Sequence, residues 1–367
     1  MKAPAWLLLI ALHWTADAKD LRIATFNASL FRPGAGELIA DTAKKDQEQL
    51  SAVAAIIREI DADVLLLNEF DYDEKEQALV NFQTNYLSGL YPHHFSAPVN
   101  TGVPSGMDLN NDGDTTDPQD AFGYGTHPGQ YGMVLFSKFP LQTDSIRTFQ
   151  KLLWRDLPGN IIPKSYYTAG QVDKLRLSSK SHWDVPITVE NKTVHFLCSH
   201  PTPPTFDDGR LVNLTDASPV DWNGRRNHDE IRFWAEYVSH AHAQWIVDDK
   251  GCDGGLADGS QFIVLGDLNA DPDDGDTVAG AIQQLLEHPL INASIVPTSK
   301  GALADVPRSY KNRESKTSHF HLRCDYVLPS RQGFEVTSGA VHWPENDDSL
   351  DKASDHRAVW MNMKIKP

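Results

Sequence analysis

Basic residues, cysteines and long apolar runs are all scarce in this chain of 367 residues. Lys and Arg together number 33 against 50 Asp and Glu, so the formal net charge is -17 at pH 7. A surface this acidic argues against a protein that holds nucleic acid through broad basic patches. It remains compatible with an enzyme that binds one phosphate locally, where a metal ion carries the positive charge.

The lack of long apolar runs excludes a multi-pass membrane protein. No stretch approaches the roughly 18 uninterrupted apolar residues that a membrane-spanning helix needs, so we expect no stable membrane insertion. The sequence has no internal repeat and no collagen-like or coiled-coil pattern. With 40% hydrophobic and 23% charged residues, the composition is typical of a soluble globular protein with a sizeable core.

The N-terminus has the pattern of an export signal. A positive start at Lys2 precedes the apolar run 7–12, and Ala16-Asp17-Ala18 provides a small-x-small cleavage signal. The pattern predicts a signal peptide over residues 1–18, a mature domain over residues 19–367, and a secreted or periplasmic protein. The alternative interpretation is a buried N-terminal strand or helix.

Only three cysteines are present, Cys198, Cys252 and Cys324. An odd number in an exported chain means that at least one thiol is free or pairs with another chain. Cys198 and Cys324 lie in strand-like runs, and we interpret them as small buried hydrophobic residues. No Cys-x-x-Cys motif and no zinc-finger spacing occurs.

Strand-like and helix-like segments alternate along the chain, and no linker divides it. Long segments rich in Gly, Pro, Asp and Asn, at 97–130 and 201–227, are interpreted as surface insertions because core strands resume after each. The pattern predicts one α/β domain with two packed sheets and helices outside. Helices are predicted over Asp46–Ile60, Glu230–Trp245 and Val278–Leu286, and strands over Leu21–Phe26, Asp63–Glu69, Gly132–Phe136, Thr193–Cys198, Phe262–Leu265, Cys324–Leu328 and Ala358–Met363.

Polar side chains collect where these strands stop, which is the usual place for a site in layered α/β folds. A single Asp or Asn after a strand is usually a turn residue, but a whole set of such residues can converge on one sheet edge. The set comprises Asn27, Glu69, His200, Asp267, Asn269, Asp325, Asp355 and His356.

Two short motifs carry most of this chemistry. In Gly266-Asp267-Leu268-Asn269, the glycine permits a tight turn, and the next positions offer a carboxylate and an amide two residues apart. In Ser354-Asp355-His356, a carboxylate suited to a hard cation stands beside an imidazole. Either motif alone is weak evidence.

Together with five further motifs, they resemble the endonuclease/exonuclease/phosphatase superfamily, the deoxyribonuclease-I-like enzymes, and in particular its secreted bacterial branch. The resemblance covers residues 21–365 and implies a four-layered α/β sandwich, two packed mixed β-sheets flanked by helices, with phosphoester hydrolysis that depends on Mg²⁺ or Mn²⁺. The motifs that carry it, in order, are Thr25-Phe26-Asn27, Leu67-Asn68-Glu69, Tyr131-Gly132 through Ser137-Lys138-Phe139-Pro140, Ser199-His200-Pro201, Gly266-Asp267-Leu268-Asn269, Cys324-Asp325-Tyr326-Val327 and Ser354-Asp355-His356.

The resemblance implies a metal site and a set of catalytic side chains. Glu69 resembles the principal metal carboxylate, with Asn27 beside it and Asp355 completing the sphere. Asp267 resembles the residue that orients the attacking water, and Asn269 resembles a phosphate-oxygen donor.

Two histidines complete the implied machinery. His356 resembles the imidazole that faces the phosphate, with Asp325 fixing its tautomer. His200 resembles the proton donor to the leaving oxygen. Simpler interpretations also exist, because Asp325 can pair with Arg323 or Arg308 and His200 can act as a structural cap. Asn68 stands where family members often carry Gln and is interpreted as structural.

Substrate ligands are expected in the segment 222–230, which precedes a predicted helix. Guanidinium groups bind phosphate in a bidentate manner and helix N-termini attract anions, so Arg225 and Asn227 are candidate substrate-binding residues. The alternative is a surface arginine pair bridged to Asp229 or Glu230.

A second candidate cation site lies in a loop that begins like an EF-hand. Asp108, Asn110, Asp112 and Asp114 place oxygen donors at alternate positions with Gly at the sixth, which favours a structural Ca²⁺ site. Gln119 occupies the twelfth position, where an EF-hand has Glu. The alternative is an acidic, solvated loop.

These observations predict an exported, metal-dependent phosphoesterase that hydrolyses a P–O bond by in-line attack of an activated water. The expected partner is a phosphoester, either a small molecule or nucleic acid, and a monomer is expected. The alternatives are a non-specific endonuclease, a lipid phosphodiesterase using the apolar segments 152–154 and 159–163, and a non-catalytic binding protein. The last would have lost Glu69, Asp267 or His356, and all three are present.

Overall fold

A computed structural model of the protein describes residues 20–207, 220–345, 347 and 350–366. The signal peptide predicted over residues 1–18 lies outside the described residues, as does the middle of the predicted insertion 201–227. No helix within the described ranges combines the length and the apolar character that crossing a bilayer demands.

Eleven strands in the described part of the chain form two mixed sheets. The first sheet has the order β10-β11-β1-β2-β4-β3 and the second has the order β5-β6-β7-β8-β9. The strands are β1 (Leu21–Leu30), β2 (Val64–Phe70), β3 (His93–Phe95), β4 (Met133–Ser137), β5 (Arg147–Thr148), β6 (His182–Val189), β7 (Lys192–Ser199), β8 (Gln261–Asp267), β9 (Asp325–Pro329), β10 (Phe334–Val341) and β11 (Val359–Ile365).

Helices cover the outer faces of the two sheets. They are α1 (Glu37–Ala43), α2 (Glu48–Ile60), α3 (Gln77–Asn85), α4 (Ala169–Val172), α5 (Trp222–Tyr237), α6 (Gln283–Leu286), α7 (Lys300–Asp305) and α8 (Leu350–Ala353).

Strand β8 shows how the layers are built. Its side chains alternate between faces, so Ile263 and Leu265 join the core between the two sheets, while Phe262 and Val264 join a second core with α5. Helix α2 closes the other side of the molecule through its buried apolar face. The layer order helix, sheet, sheet, helix confirms the predicted four-layered sandwich.

Each predicted strand is present, but two predicted helices have wrong bounds. The helix predicted over Glu230–Trp245 begins at Trp222 and ends at Tyr237, because Asp221 caps its start by accepting from the Gly224 amide. Within the predicted helix 278–286, only α6 is helical, since Gly280 adopts a φ of 86°.

The structure shows where the apolar segments 152–154 and 159–163 and two of the cysteines pack. Leu152, Trp154 and Ile162 are buried in the second core, so this apolar patch is not a protruding hairpin. Cys198 and Cys324 are buried and unpaired, which confirms their interpretation as small core residues.

Parallel strand pairs position the site. β1 runs parallel to β2 in the first sheet, and β7 runs parallel to β8 in the second. Their carboxyl ends therefore lie at one edge of each sheet. The two edges meet because β1 and β2 pack on β8.

Candidate active site

One carboxylate oxygen, Oδ2 of Asp267, is the point on which the predicted site residues converge. Asp267 ends β8, and this oxygen accepts from Asn27 Nδ2, on β1, at 3.0 Å. The Nε2 atoms of His200 and His356 lie 3.4 Å and 3.6 Å from the same oxygen. Because β1 and β8 belong to different sheets, the cluster exists only when the two sheets pack together.

His356 forms a buried pair with Asp325. Its Nδ1 lies 2.9 Å from Asp325 Oδ2, and the Thr317 hydroxyl donates to that same oxygen at 2.7 Å. Burial by itself lowers the pKa of His356, but the carboxylates of Asp325 and Asp267 outweigh it and raise the pKa to about 10. His356 is therefore a cation near neutral pH, with Nδ1 held by Asp325 and Nε2 directed toward Asp267.

Asp267 is a carboxylate with an unusually basic character. Burial raises its pKa, and repulsion from Asp325 adds to the increase, while the positive charge of His356 opposes it. A carboxylate with a raised pKa accepts a proton more readily, which suits a group that takes a proton from water.

The second histidine, His200, has the opposite character. Burial lowers its pKa well below the ordinary value, and the positive charges of Lys180 and His356 lower it further. It is therefore a neutral imidazole in this structure. Its Nδ1 is buried and has no hydrogen-bond partner among the described residues.

Glu69 and Asp355 form the carboxylate pair of the site. Glu69, near the end of β2, has a left-handed backbone with φ of 60°. Burial raises the pKa of Glu69, and the charge of Asp355 raises it further, although His356 and Asn27 oppose the shift. Asp355 is fixed by the Ser29 hydroxyl at 2.8 Å. A buried carboxylate with a second carboxylate nearby is the environment that a bound cation stabilises.

This donor set fits a hard divalent cation. Carboxylate oxygens are the ligands that Mg²⁺ and Mn²⁺ prefer, and Glu69 and Asp355 supply them. Asn27 lies beside them, but its Nδ2 donates to Asp267 while its Oδ1 accepts from the Ser29 amide at 3.2 Å. Asn27 is therefore positioned to ligate only if its amide reorients.

A second set of potential ligands occupies the same site. Ligand atoms of Asp267, Asp325 and His356 lie within 4.8 Å of one another, which makes them a possible metal site. The pairing of His356 with Asp325 competes with this arrangement, because a protonated imidazole binds no metal. Metal binding by Asn27, Glu69 and Asp355 stays a prediction.

Asn269 lies in the turn that follows β8. It has a φ of 51°, its amide N–H donates to Asp267 Oδ1 at 2.9 Å, and its Nδ2 donates to the Pro201 carbonyl at 3.1 Å. The turn therefore fixes both the second oxygen of Asp267 and the amide that was predicted to face phosphate.

The two predicted substrate ligands have protein partners. Asn227 is fully buried, and its Nδ2 donates to the carbonyls of Thr202 and Leu268 at 2.8 Å and 3.0 Å, so it joins the turns that carry His200 and Asn269. Arg225 donates to the Val220 carbonyl at 3.1 Å. Direct substrate contact by Arg225 or Asn227 stays a prediction.

The calcium-loop candidates lie apart from this cluster. The side chains of Asp108, Asn110 and Asp112 accept from backbone amides of their own loop. Asp114 accepts from the Thr116 hydroxyl at 2.8 Å. Among the described residues, neither Asp108 nor Asp114 hydrogen-bonds to an active-site residue.

Sequence reasoning missed Lys180. Its side chain is 6% exposed, and its ammonium makes no hydrogen bond or ion pair within the described part of the chain. Burial lowers its pKa, whereas Glu230, Glu69 and Asp267 raise it. Lys180 precedes β6, a strand that the sequence did not predict, so no signal placed it near the site.

Asn68 is structural, as predicted. Its Oδ1 accepts from the Asp267 amide at 3.1 Å, and its Nδ2 donates to the Ser199 carbonyl at 3.3 Å. Asn68 lies on β2, whereas both partners belong to the second sheet. It therefore ties the two sheets together directly beneath the catalytic cluster.

The chain is thus a sandwich of two mixed sheets with a buried Asp–Asp–His cluster at one sheet edge. The family model described as "Endonuclease/Exonuclease/phosphatase family" matches residues 24–356. The chain belongs to this family, whose members are metal-dependent phosphoesterases.

Solved structures of low sequence identity share the fold. An endonuclease/exonuclease/phosphatase from Beutenbergia cavernae DSM 12333 is 19% identical with a TM-score of 0.55, covering 94% of this chain and 72% of that chain. The human Nocturnin catalytic domain with bound sulfate anion is 15% identical with a TM-score of 0.51, covering 95% of both chains. A family protein from Leptotrichia buccalis C-1013-b is 12% identical with a TM-score of 0.50, covering 94% and 100%. No curated protein matches the chain.

Proposed function

We propose that the protein is an exported phosphoesterase that uses Mg²⁺ or Mn²⁺ and hydrolyses a P–O bond by in-line attack of water. The observation that carries the proposal is the convergence of Asn27, His200 and His356 on one oxygen of Asp267. A general base, a cationic donor and a second imidazole therefore face one small space.

Asp267 is assigned to the attacking water. Its pKa is raised by burial, so it can take the proton that water loses as the oxygen–phosphorus bond forms. Asn27 and the Asn269 amide hold its two oxygens, which fixes the direction from which water attacks.

Cationic groups are assigned to the equatorial phosphate oxygens. His356 presents Nε2 while Asp325 holds Nδ1, and Lys180 carries an ammonium near Glu69 and Asp267. Charge that develops on the phosphoryl oxygens is stabilised by such preorganised donors. A cation bound by Glu69 and Asp355 would supply further positive charge at the phosphate.

His200 is assigned to the leaving oxygen. It is neutral in this structure because burial and two nearby cations lower its pKa. An anionic phosphoester that enters the site raises the pKa of a neighbouring imidazole, so substrate binding would load His200 with the proton that the leaving oxygen receives.

We favour a small phosphodiester over nucleic acid or lipid as the substrate. The net charge of -17 disfavours a long polyanion, and the apolar patch that motivated a lipid substrate is buried. Phe320 is 43% exposed, and its ring lies 5.3 Å from that of His356. An exposed aromatic side chain beside the phosphate site is suited to an aromatic or apolar leaving group.

A substrate and metal panel tests the proposal. Purified mature protein is assayed with bis-p-nitrophenyl phosphate, p-nitrophenyl phosphate, plasmid DNA and phospholipid vesicles, each with Mg²⁺, Mn²⁺, Ca²⁺ or EDTA. We expect hydrolysis of the first substrate with Mg²⁺ or Mn²⁺, and a loss of about 100-fold or more for Glu69→Gln and His356→Asn.

His195→Asn is the matched control. His195 also pairs with a carboxylate, Asp184, at 2.8 Å, but it lies five residues from His200 along β7, or about 16 Å. Full activity of metal-stripped protein in EDTA, or wild-type activity of His356→Asn, would contradict the proposal.

Export is a separate part of the proposal and is supported by the pattern over residues 1–18. A monomeric state is a further expectation. Mass spectrometry of protein recovered from periplasm or medium is expected to give a mature chain that begins at Lys19. Light scattering is expected to give the mass of one chain. A full-length cytoplasmic product would argue against export.

A further inference from the structure

The loop 108–120 gathers oxygen atoms around Asn110. The Nδ2 of Asn110, a largely buried side chain, donates to Asp112 Oδ2 at 3.1 Å and to Asp117 Oδ2 at 3.2 Å. Asp108 lies on the same loop and accepts from the Asp112 and Gly113 amides. These contacts shape the loop, but they do not by themselves indicate a ligand.

Asp120 provides the independent observation. It is 1% exposed, and its Oδ1 accepts from the Leu109 amide at 2.6 Å. Its Oδ2 is buried and has no hydrogen-bond partner among the described residues. Burial raises the pKa of Asp120, and the carboxylates of Asp117, Asp108 and Asp112 lie close enough to raise it further. A buried carboxylate oxygen that receives no hydrogen bond in the described part of the chain, with three further acids nearby, points to a bound cation.

We propose that residues 108–120 form a Ca²⁺ site in which Asp120 is the buried anchoring ligand. Asp108, Asp112 and Asp117 supply further carboxylates, and Asn110 supplies an amide oxygen. Asp120 is residue 13 of the loop counted from Asp108, so it takes the role that Glu has at position 12 of an EF-hand.

The donor set selects Ca²⁺ over Mg²⁺. All five side chains offer oxygen, and Ca²⁺ accepts six to eight oxygen ligands in flexible geometry, whereas Mg²⁺ requires a small octahedron. Within the described ranges, only the active-site trio of Asp267, Asp325 and His356 brings three such ligand atoms within 4.8 Å. The loop carboxylates are not gathered that closely in this structure, so the proposed site requires the loop to close on the ion.

Backbone hydrogen bonds connect the loop to the segment that carries Lys180. After Asp120, the Gly123 amide donates to the Asn100 carbonyl at 3.2 Å, and the Asn100 amide donates to the Lys180 carbonyl at 2.9 Å. A Cβ on Gly123 would lie 1.9 Å from the Ser179 carbonyl oxygen, so this strip packs tightly against the backbone that carries Lys180. Ca²⁺ bound at the loop therefore stabilises one wall of the active site.

Calorimetry and thermal unfolding test the site directly. The mature full-length chain carries Glu69→Gln, so that the active-site metal does not contribute, and is stripped with EDTA and titrated with Ca²⁺ or Mg²⁺. We expect one Ca²⁺ per chain with a dissociation constant of about 10⁻⁵ to 10⁻³ M, and a rise in melting temperature that Mg²⁺ does not match.

Two variants and a control distinguish a specific Ca²⁺ site from non-specific binding of Ca²⁺ to the acidic surface. Asp120→Asn is expected to weaken Ca²⁺ binding at least about tenfold, yet to melt no lower than its parent in EDTA, because it removes a buried unpaired charge. Asp112→Asn, at an exposed position, is expected to weaken binding similarly. Asp144→Asn, an exposed acid in another turn, is expected to change nothing. No Ca²⁺-dependent shift in the parent, or an unchanged affinity in both loop variants, would overturn the proposal.

Discussion

The Nδ1 atom of His356 lies 2.9 Å from Oδ2 of Asp325, and both side chains are buried. The pair fixes the imidazole so that Nε2 points to Asp267, 3.6 Å away. The two carboxylates raise the pKa of His356 to about 10 in spite of its burial. A histidine that stays charged throughout the neutral range acts as a fixed cation, and not as a switch near pH 7.

Replacing Asp325 with Asn is expected to lower kcat by about 100-fold, because His356 loses both its orientation and part of its charge stabilisation. The alkaline limb of the pH–rate profile is expected to move to lower pH, since the pKa of His356 falls when the carboxylate is removed. The measurement is kcat against pH for the wild type and Asp325→Asn. The control is His195→Asn, and an unmoved alkaline limb in Asp325→Asn would refute the assignment.

Lys180→Met is expected to lower kcat/KM by about 10- to 100-fold, because the phosphate loses a preorganised ammonium donor. Folding is expected to be retained, since the variant removes a buried charge that has no ion-pair partner among the described residues. Lys180→Arg is expected to recover part of the activity. Lys174→Met, at an exposed position, is the control, and a Lys180→Met enzyme as active as this control would exclude a role in catalysis.

His182→Gln tests a pH effect on stability. His182 is fully buried between the Ser178 hydroxyl and the Glu230 carbonyl, and burial lowers its pKa to about 3. The unfolded chain binds a proton near pH 6.5 whereas the folded chain does not, so stability is lost as the pH falls from 6.5 toward 3. The loss is on the order of 4 kcal/mol.

Urea unfolding at several pH values measures this effect. His182→Gln carries a constant cost at every pH, because one of its ring hydrogen bonds is lost, but its stability is expected to fall less steeply below pH 6.5. Parallel stability–pH curves for the variant and the wild type would show that His182 is not the responsible group.

Gly266→Ala tests the close packing of the sheets. Gly266 has a φ of 143°, and a Cβ there would lie 2.0 Å from the Ser199 carbonyl oxygen. We expect a loss of stability of about 2–4 kcal/mol, because both the backbone conformation and the contact are incompatible with a side chain. Gly170→Ala, which has open space around it in α4, is the control. Equal urea midpoints for the two variants would argue against this packing constraint.

Strands buried on both faces were the readily predicted elements. β8 reads as a continuous apolar run that ends at Asp267, and such a run is distinctive in any sequence. β6 was missed because His182, Asp184 and Pro186 lie within it. The polar residues are buried there through partners that are distant in sequence, such as the Tyr237 hydroxyl on Asp184 at 2.6 Å. The hydrophobic periodicity of a local stretch of sequence gives no information about such partners.

The amino-acid sequence determined the residue types of the site and their location at strand ends, because a buried strand must stop where polar side chains begin. The tertiary structure alone brought Asn27 of one sheet against Asp267 of the other and carried Lys180 to them. It also left an oxygen of Asp120 buried, with no donor in the part of the chain that the structure describes. The charge state of each site residue follows from its burial and from its distances to other charges. Both depend on how the two sheets pack, so a local stretch of sequence does not determine them.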